Sequence, residues 1–132
     1  MKIEIRIDKS KSKSLIERAE ITNKRLDETD KLKYPSNTLD DYYDIIHQLM
    51  EALTLMEGVK MKGEGAHCEL IDYVCKKYKI SETDREFLQQ MRNYRNQISY
   101  EGFSVKSEYI ERNESRINKI ISQLSSIVKE KI

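Results

Sequence analysis

Apolar residues recur at helical spacing along most of the chain beyond about residue 10. Positions three and four apart fall on one side of an α-helix, because each turn takes 3.6 residues. The pattern predicts five helices, at about 10–31, 39–57, 65–79, 82–99 and 105–131. Short connections between such helices favour an all-α, up-and-down bundle of four or five helices that forms one domain over residues 1–132.

Residues that favour helix starts and ends mark several of these boundaries. The segment 34–38 contains the only proline of the chain, breaks the first helix and offers several N-cap residues for the second. Ser81, followed three positions later by Asp84, resembles a capping box with aspartate in place of glutamate. Gly58 and Gly102 are expected to end the second and fourth helices, since glycine readily adopts the left-handed conformation there.

The first residues follow a different period. Over residues 1–9, Ile3, Ile5 and Ile7 alternate with charged residues, and a period of two predicts a short strand with one apolar face. A lone strand needs a partner, and its own copy in a dimer is one candidate. The alternative is a charged arm that lies extended on the bundle.

Composition narrows the classes of function. With a net charge of +1 and 36% charged residues, both signs are dense and balanced, which disfavours a nucleic-acid coating protein or a polybasic membrane anchor. A local basic site remains open. No apolar run approaches the roughly 18 residues that a membrane span needs, so we expect no membrane association.

The two cysteines and the start of the chain indicate the compartment. Cys68 and Cys75 would lie on one face of the third helix, about 10 Å apart along its axis, which is too far for a disulfide within that helix. Reduced thiols, together with the lack of a signal-peptide pattern in the first ten residues, predict a cytoplasmic protein.

The most unusual segment is the end of the fourth helix, where polar side chains border an apolar face. Arg95 falls at the edge of that face, and Arg92, Asn96 and Ser99 form a polar stripe beside it. The apolar face itself comprises Phe87, Leu88, Met91, Tyr94 and Ile98. A guanidinium at the edge of a core stays charged and must find an acceptor.

The acids of the second helix are candidates for that acceptor. Asp40, Asp41 and Asp44 crowd its expected first turns, where the helix macrodipole favours negative charge. Capping of this kind explains the cluster by itself. The other interpretation is that one of the three pairs with Arg92 or Arg95.

Residues of the fourth helix could together hold a phosphodiester. Arg95 would clamp two oxygens, Asn96 would orient the group, and the Tyr100 hydroxyl would act on the leaving or attacking oxygen. Arg92 and Ser99 would add phosphate contacts. The alternative is an arginine–asparagine network that fixes helix packing or a dimer interface.

The histidines do not indicate a metal site. His47 and His67 are the only ones, they fall on different helices, and no zinc-ligand spacing is present, so neither a metal nor a cofactor is expected. His67, in the first turn of the third helix, suits a structural or interface role. It could also donate or accept at a phosphate-binding surface.

Residues 95–102, with the sequence RNQISYEG, resemble the motif Arg-Asn-x-x-x-His, often followed by x-Tyr, of HEPN domains (higher eukaryotes and prokaryotes nucleotide-binding). Residues 41–73 also resemble the central helix pair of that family, so the resemblance covers most of the chain. It implies a homodimer that brings two arginine-centred sites into one cleft. Active members cut RNA without a metal, and others are partners or targets of a minimal nucleotidyltransferase in two-gene toxin–antitoxin systems.

Two positions differ from the family motif. Tyr100 stands where the family has histidine, and Gly102 where it has the tyrosine that becomes modified. A histidine side chain titrates near neutral pH and suits acid–base catalysis, whereas tyrosine titrates near about 10. We therefore expect a homodimer that binds RNA or a nucleotide with weak or no catalysis. The alternatives are a ribonuclease that uses Tyr100, and an interaction partner of a nucleotidyltransferase with structural arginines.

Overall fold

A computed structural model describes all 132 residues. In chain order the elements are β1 (Lys2–Glu4), α1 (Lys9–Asp27), α2 (Pro35–Glu57), β2 (Val59–Met61), α3 (Ala66–Lys77), α4 (Glu82–Glu101) and α5 (Ser107–Lys131). The predicted five-helix bundle is confirmed, with boundaries shifted by a few residues. None of the helices has the length and apolar character needed to cross a membrane.

The start of α2 differs from the prediction. The helix begins at Pro35 instead of residue 39, because proline lacks an N–H and is well accommodated in a first turn, where that group has no partner. Asp40, Asp41 and Asp44 consequently lie beyond the first turn, which contains no acid. Capping of the helix N-terminus therefore does not account for these three aspartates.

The other predicted boundary signals are present. Gly58 and Gly102 end α2 and α4 in the left-handed conformation, with φ of 75° and 68°. The Ser81 hydroxyl accepts a hydrogen bond from the Asp84 backbone N–H at 3.2 Å. The Asp84 carboxylate accepts from Arg116 on α5 at 3.0 Å, so this cap also joins α4 to α5.

The N-terminal strand pairs within the chain. β1 runs antiparallel to β2, with Ile3 opposite Lys60, so the strand prediction is confirmed and the charged-arm alternative is wrong. Its partner is β2 of the same chain and not a second copy. β2 was not predicted, because three residues are too few to show a period of two.

The segment around β2 changes the direction of the bundle. His67, near the start of α3, lies beside Tyr43 in the first half of α2, whereas Tyr73 farther along α3 contacts Glu57 at the last residue of α2. Since β2 and the following loop lead the chain back along α2, α3 runs parallel to α2, and this pair departs from the up-and-down order predicted from the sequence. α4 then returns antiparallel, which brings its last turns beside the first half of α2.

α2 is the central element and contacts all four other helices. Its buried residues extend around most of its circumference, which explains why it is the most apolar helix. A small cluster of Leu39, Val105 and Ile110 packs against Tyr94 and Ile98 and holds the end of α4 against α2. The polar residues of α4 are thereby fixed at the edge of a packed interface.

Candidate functional site

Arg95 is bound to α2. Its Nη2 donates a hydrogen bond to Asp44 Oδ1 at 2.9 Å, and its guanidinium lies 5.3 Å from the centre of the Tyr43 ring. Its Nε is buried without a hydrogen-bond partner. Of the two interpretations of the aspartate cluster, the one in which an aspartate pairs with Arg92 or Arg95 is thus confirmed, and the pair is Asp44 with Arg95.

The other two aspartates have different surroundings. Asp41 accepts from Arg25 of α1 at 2.8 Å. Asp40 has a buried Oδ1 that receives no hydrogen bond. Burial raises the pKa of Asp40; the positive charge of Arg95 lowers it and the neighbouring carboxylates raise it, for a net increase. The positive charge of Arg95 therefore acts on both Asp40 and Asp44, but Arg95 is hydrogen-bonded only to Asp44.

Arg92 is oriented by a contact on its own helix. Its Nε donates to Gln89 Oε1 at 2.8 Å, and Gln89 in turn donates to the Cys68 carbonyl and to Asp72 Oδ1, each at 3.0 Å. No carboxylate pairs with Arg92, and its terminal nitrogens make no hydrogen bond within the chain. Its charge therefore remains available at the surface of α4.

The two histidines meet beside Arg95. The ring centres of His47 and His67 are 4.1 Å apart, and His67 Nδ1 lies 3.4 Å from the Tyr43 hydroxyl. Burial lowers the pKa of His47 to about 4, helped by the nearby charges of His67 and Arg95. Burial and then Arg95 also lower the pKa of His67. Both imidazoles are consequently neutral at pH 7.

The structure brings together only some of the predicted site residues. Arg92, Arg95 and His67 join Tyr43 and His47 in one arrangement, here called the arginine–histidine cluster. Asn96, Ser99 and Tyr100 lie exposed along the last turns of α4, and their side chains make no hydrogen bond. Tyr100 is 84% exposed. No group of three or more His, Cys, Asp or Glu side chains is arranged to hold a metal ion.

Two members of the cluster were not predicted from the sequence. Tyr43 and His47 lie on α2, far from the Arg92–Gly102 segment, and their meeting with Arg95 depends on the direction of α4. A signal does exist in hindsight: Tyr43, His47 and Glu51 are spaced four residues apart, so they form a polar stripe along one side of an otherwise apolar helix.

Comparisons with protein-family models, with curated proteins and with solved structures found no match to this chain.

Proposed function

We propose that this chain is a HEPN-like domain that forms a homodimer and binds RNA or a nucleotide through the phosphate, with little or no catalysis. Arg92, Arg95 and Asn96 are the proposed phosphate contacts, and His67 borders them. In this proposal the protein acts in the cytoplasm as part of a toxin–antitoxin type system. The resemblance of residues 95–102 to the HEPN motif supports the family assignment.

The observation that carries the proposal is the pair of arginines with free N–H groups on one face of α4. A guanidinium binds phosphate oxygens through two parallel hydrogen bonds. Arg92 uses only Nε within the chain, and Arg95 uses only Nη2. Because Nε of Arg95 is buried, the nitrogens left for a phosphate group are Nη1 of Arg95 and both terminal nitrogens of Arg92.

The ion pair between Arg95 and Asp44 does not prevent phosphate binding. The side chains of Arg95 and Asp44 are 31% and 41% exposed, and ion pairs with such access to water contribute about 0–1 kcal/mol. The pair instead holds the guanidinium in place before the ligand arrives.

The surroundings of Tyr100 favour binding over cleavage. A catalytic acid or base needs to be held within hydrogen-bond reach of the proton that it transfers. Tyr100 is 84% exposed, and no side chain of the chain orients its hydroxyl. The ribonuclease alternative predicts cleavage of single-stranded RNA in EDTA that Tyr100→Phe stops.

The test of the proposal is fluorescence anisotropy with labelled single-stranded RNA. We expect Arg95→Ala to weaken binding at least about tenfold, since a charge-assisted hydrogen bond is lost, with unchanged helix content by circular dichroism. Arg112→Ala is the matched control, because Arg112 is an exposed arginine of α5 with no partner. Unaltered binding by a folded Arg95→Ala variant would contradict the proposal. Sedimentation as a monomer at micromolar concentration would contradict the homodimer.

A further inference from the structure

A cavity of about 180 Å³ lies beside the two histidines, between α2, β2 and the start of α3. Half of the residues that line it are apolar, and they belong to all three elements. The polar lining residues are His47, Glu51 and Thr54 of α2, Lys60 of β2 and His67 of α3.

Glu51 brings an unpaired carboxylate to this cavity. Its side chain is 30% exposed and receives no hydrogen bond from any group of the chain. His47 Nδ1 is 3.8 Å from Glu51 Oε2, which exceeds hydrogen-bond length. Because the His47 ring is neutral at pH 7, it does not balance the negative charge, and Lys60, which also lines the cavity, forms no ion pair with Glu51. The two carboxylate oxygens therefore offer adjacent acceptors to a ligand.

His67 connects the cavity with the arginines. Its ring lines the cavity, and it also stacks on Tyr43, with 6.2 Å between ring centres. The same Tyr43 ring also lies against the guanidinium of Arg95, 5.3 Å from the ring centre. A ligand whose phosphate is held by Arg92 and Arg95 could therefore reach the cavity along His67.

The size and chemistry of the cavity restrict what can enter. Its volume lies below the roughly 300 Å³ at which pockets for drug-sized ligands begin, so a single ring system fits and a whole nucleotide does not. Flat imidazole faces suit a planar ring. Adjacent carboxylate oxygens suit two neighbouring N–H donors, which guanine presents at N1 and N2. Uracil presents one N–H between two carbonyl groups, and a carboxylate repels the oxygens of those carbonyls.

We propose that this cavity accepts a guanine base, paired with Glu51 and stacked on His67, from the RNA or nucleotide bound at the arginines. The assignment rests on the proposed phosphate-binding function and adds a base preference to it. Glu51 is thus a specificity-determining residue. Asn96, Ser99 and Tyr100 lie outside the cavity and are not needed for this preference.

The experiment is isothermal titration calorimetry with GMP, UMP and inorganic phosphate as probes. We expect GMP to bind at least about tenfold more tightly than UMP, and Glu51→Gln to remove most of that difference while leaving UMP unchanged. Glu64→Gln, at an exposed loop position, is the matched control. Ala66→Leu, which narrows the cavity without changing a charge, should weaken GMP binding and spare phosphate. Circular dichroism verifies that each variant is folded.

The outcomes separate this inference from the proposed function. Equal affinity for GMP and UMP, unaffected by Glu51→Gln but abolished by Arg95→Ala, overturns the guanine site and leaves the phosphate site standing. GMP binding that Glu51→Gln leaves unchanged or strengthens also overturns the guanine site. The absence of binding by all three probes overturns both.

Discussion

Arg95 and Asp44 are 51 positions apart in the sequence, yet a hydrogen bond of 2.9 Å joins Nη2 of the arginine to Oδ1 of the aspartate. The contact joins α4 to α2 at the edge of the arginine–histidine cluster. It gives the guanidinium a fixed position and at the same time occupies one of its donors.

Replacement of Asp44 should therefore strengthen phosphate binding. Asp44→Asn removes the competing negative charge and keeps the shape of the side chain, so we expect RNA affinity to rise severalfold. Since the pair is partly exposed, the free energy of unfolding should fall by no more than about 1 kcal/mol. Anisotropy titrations and urea unfolding measure the two effects. Asp72→Asn is a useful comparison, because Asp72 accepts a hydrogen bond from Gln89, the residue that orients Arg92. Weaker binding by Asp44→Asn would contradict the prediction.

The partly buried His47 should make the fold sensitive to mild acid. The pKa of His47 is lowered from 6.5 to about 4, so the unfolded chain binds a proton between these values that the folded chain does not. Stability from this group is complete above pH 6.5 and is lost as pH falls toward 4, by about 3 kcal/mol at most. The free energy of unfolding, measured by urea denaturation from pH 7.5 to 4.5, should fall less steeply for His47→Gln than for the unaltered chain. Parallel curves would exclude this role.

Glu57 fastens the end of α2 to α3. Its carboxylate accepts hydrogen bonds from Tyr73 at 2.8 Å and from Lys77 and Tyr78, and its side chain is 11% exposed. Burial raises the pKa of Glu57, but these hydrogen bonds outweigh burial and lower it overall. Glu57→Gln should therefore lower the free energy of unfolding by about 2 kcal/mol at pH 7.

The control for this variant is Glu130→Gln, at an exposed position of α5 with no hydrogen bond. Below about pH 4.5 the difference between Glu57→Gln and the unaltered chain should shrink, because a lowered pKa contributes stability only above the pKa of the unfolded state and loses it as pH falls. A difference that persists unchanged at pH 3 would show that the effect is not electrostatic.

Gly58 and Gly65 allow a matched test of backbone strain. Both have positive φ, of 75° and 77°, but a Cβ at Gly58 would lie 2.9 Å from the Ile5 carbonyl oxygen, whereas nothing lies within 4 Å at Gly65. We expect Gly65→Ala to cost about 1 kcal/mol, from conformation alone, and Gly58→Ala at least about 2 kcal/mol. Urea unfolding of both variants measures the difference, and equal losses would mean that the contact with Ile5 carries no strain.

Local patterns in the sequence were enough to predict the helices. Each helix buries a stripe of apolar residues, and the helical period of that stripe is recognisable within a few turns. The same holds for the left-handed ends at Gly58 and Gly102. β2 could not be predicted, since its three residues become a strand only through pairing with β1. α2 begins before the predicted residue 39, because Pro35 is accommodated in the first turn of the helix and does not break it.

The site was predictable on one helix only. Arg92 and Arg95 stood out because charge beside an apolar face requires a partner, and the aspartates of α2 were the nearest candidates. The spacing of polar residues on α2 marks the side on which His47 lies, but the approach of His47 to His67 depends on α3 running parallel to α2. That direction follows from β2 and the loop after it, which lead the chain back along α2.

The pairing of β1 with β2 has a consequence for the order of folding. It joins residues 2–4 to residues 59–61 and thereby closes a loop that contains both α1 and α2. Closing a loop of that length costs chain entropy, which is recovered only once α1 is packed against α2. We therefore expect the sheet to form late in folding and to open first. Amide hydrogens of Ile5 and Asp8, which bond to Gly58 and Leu55, should then exchange before those at the centre of α2.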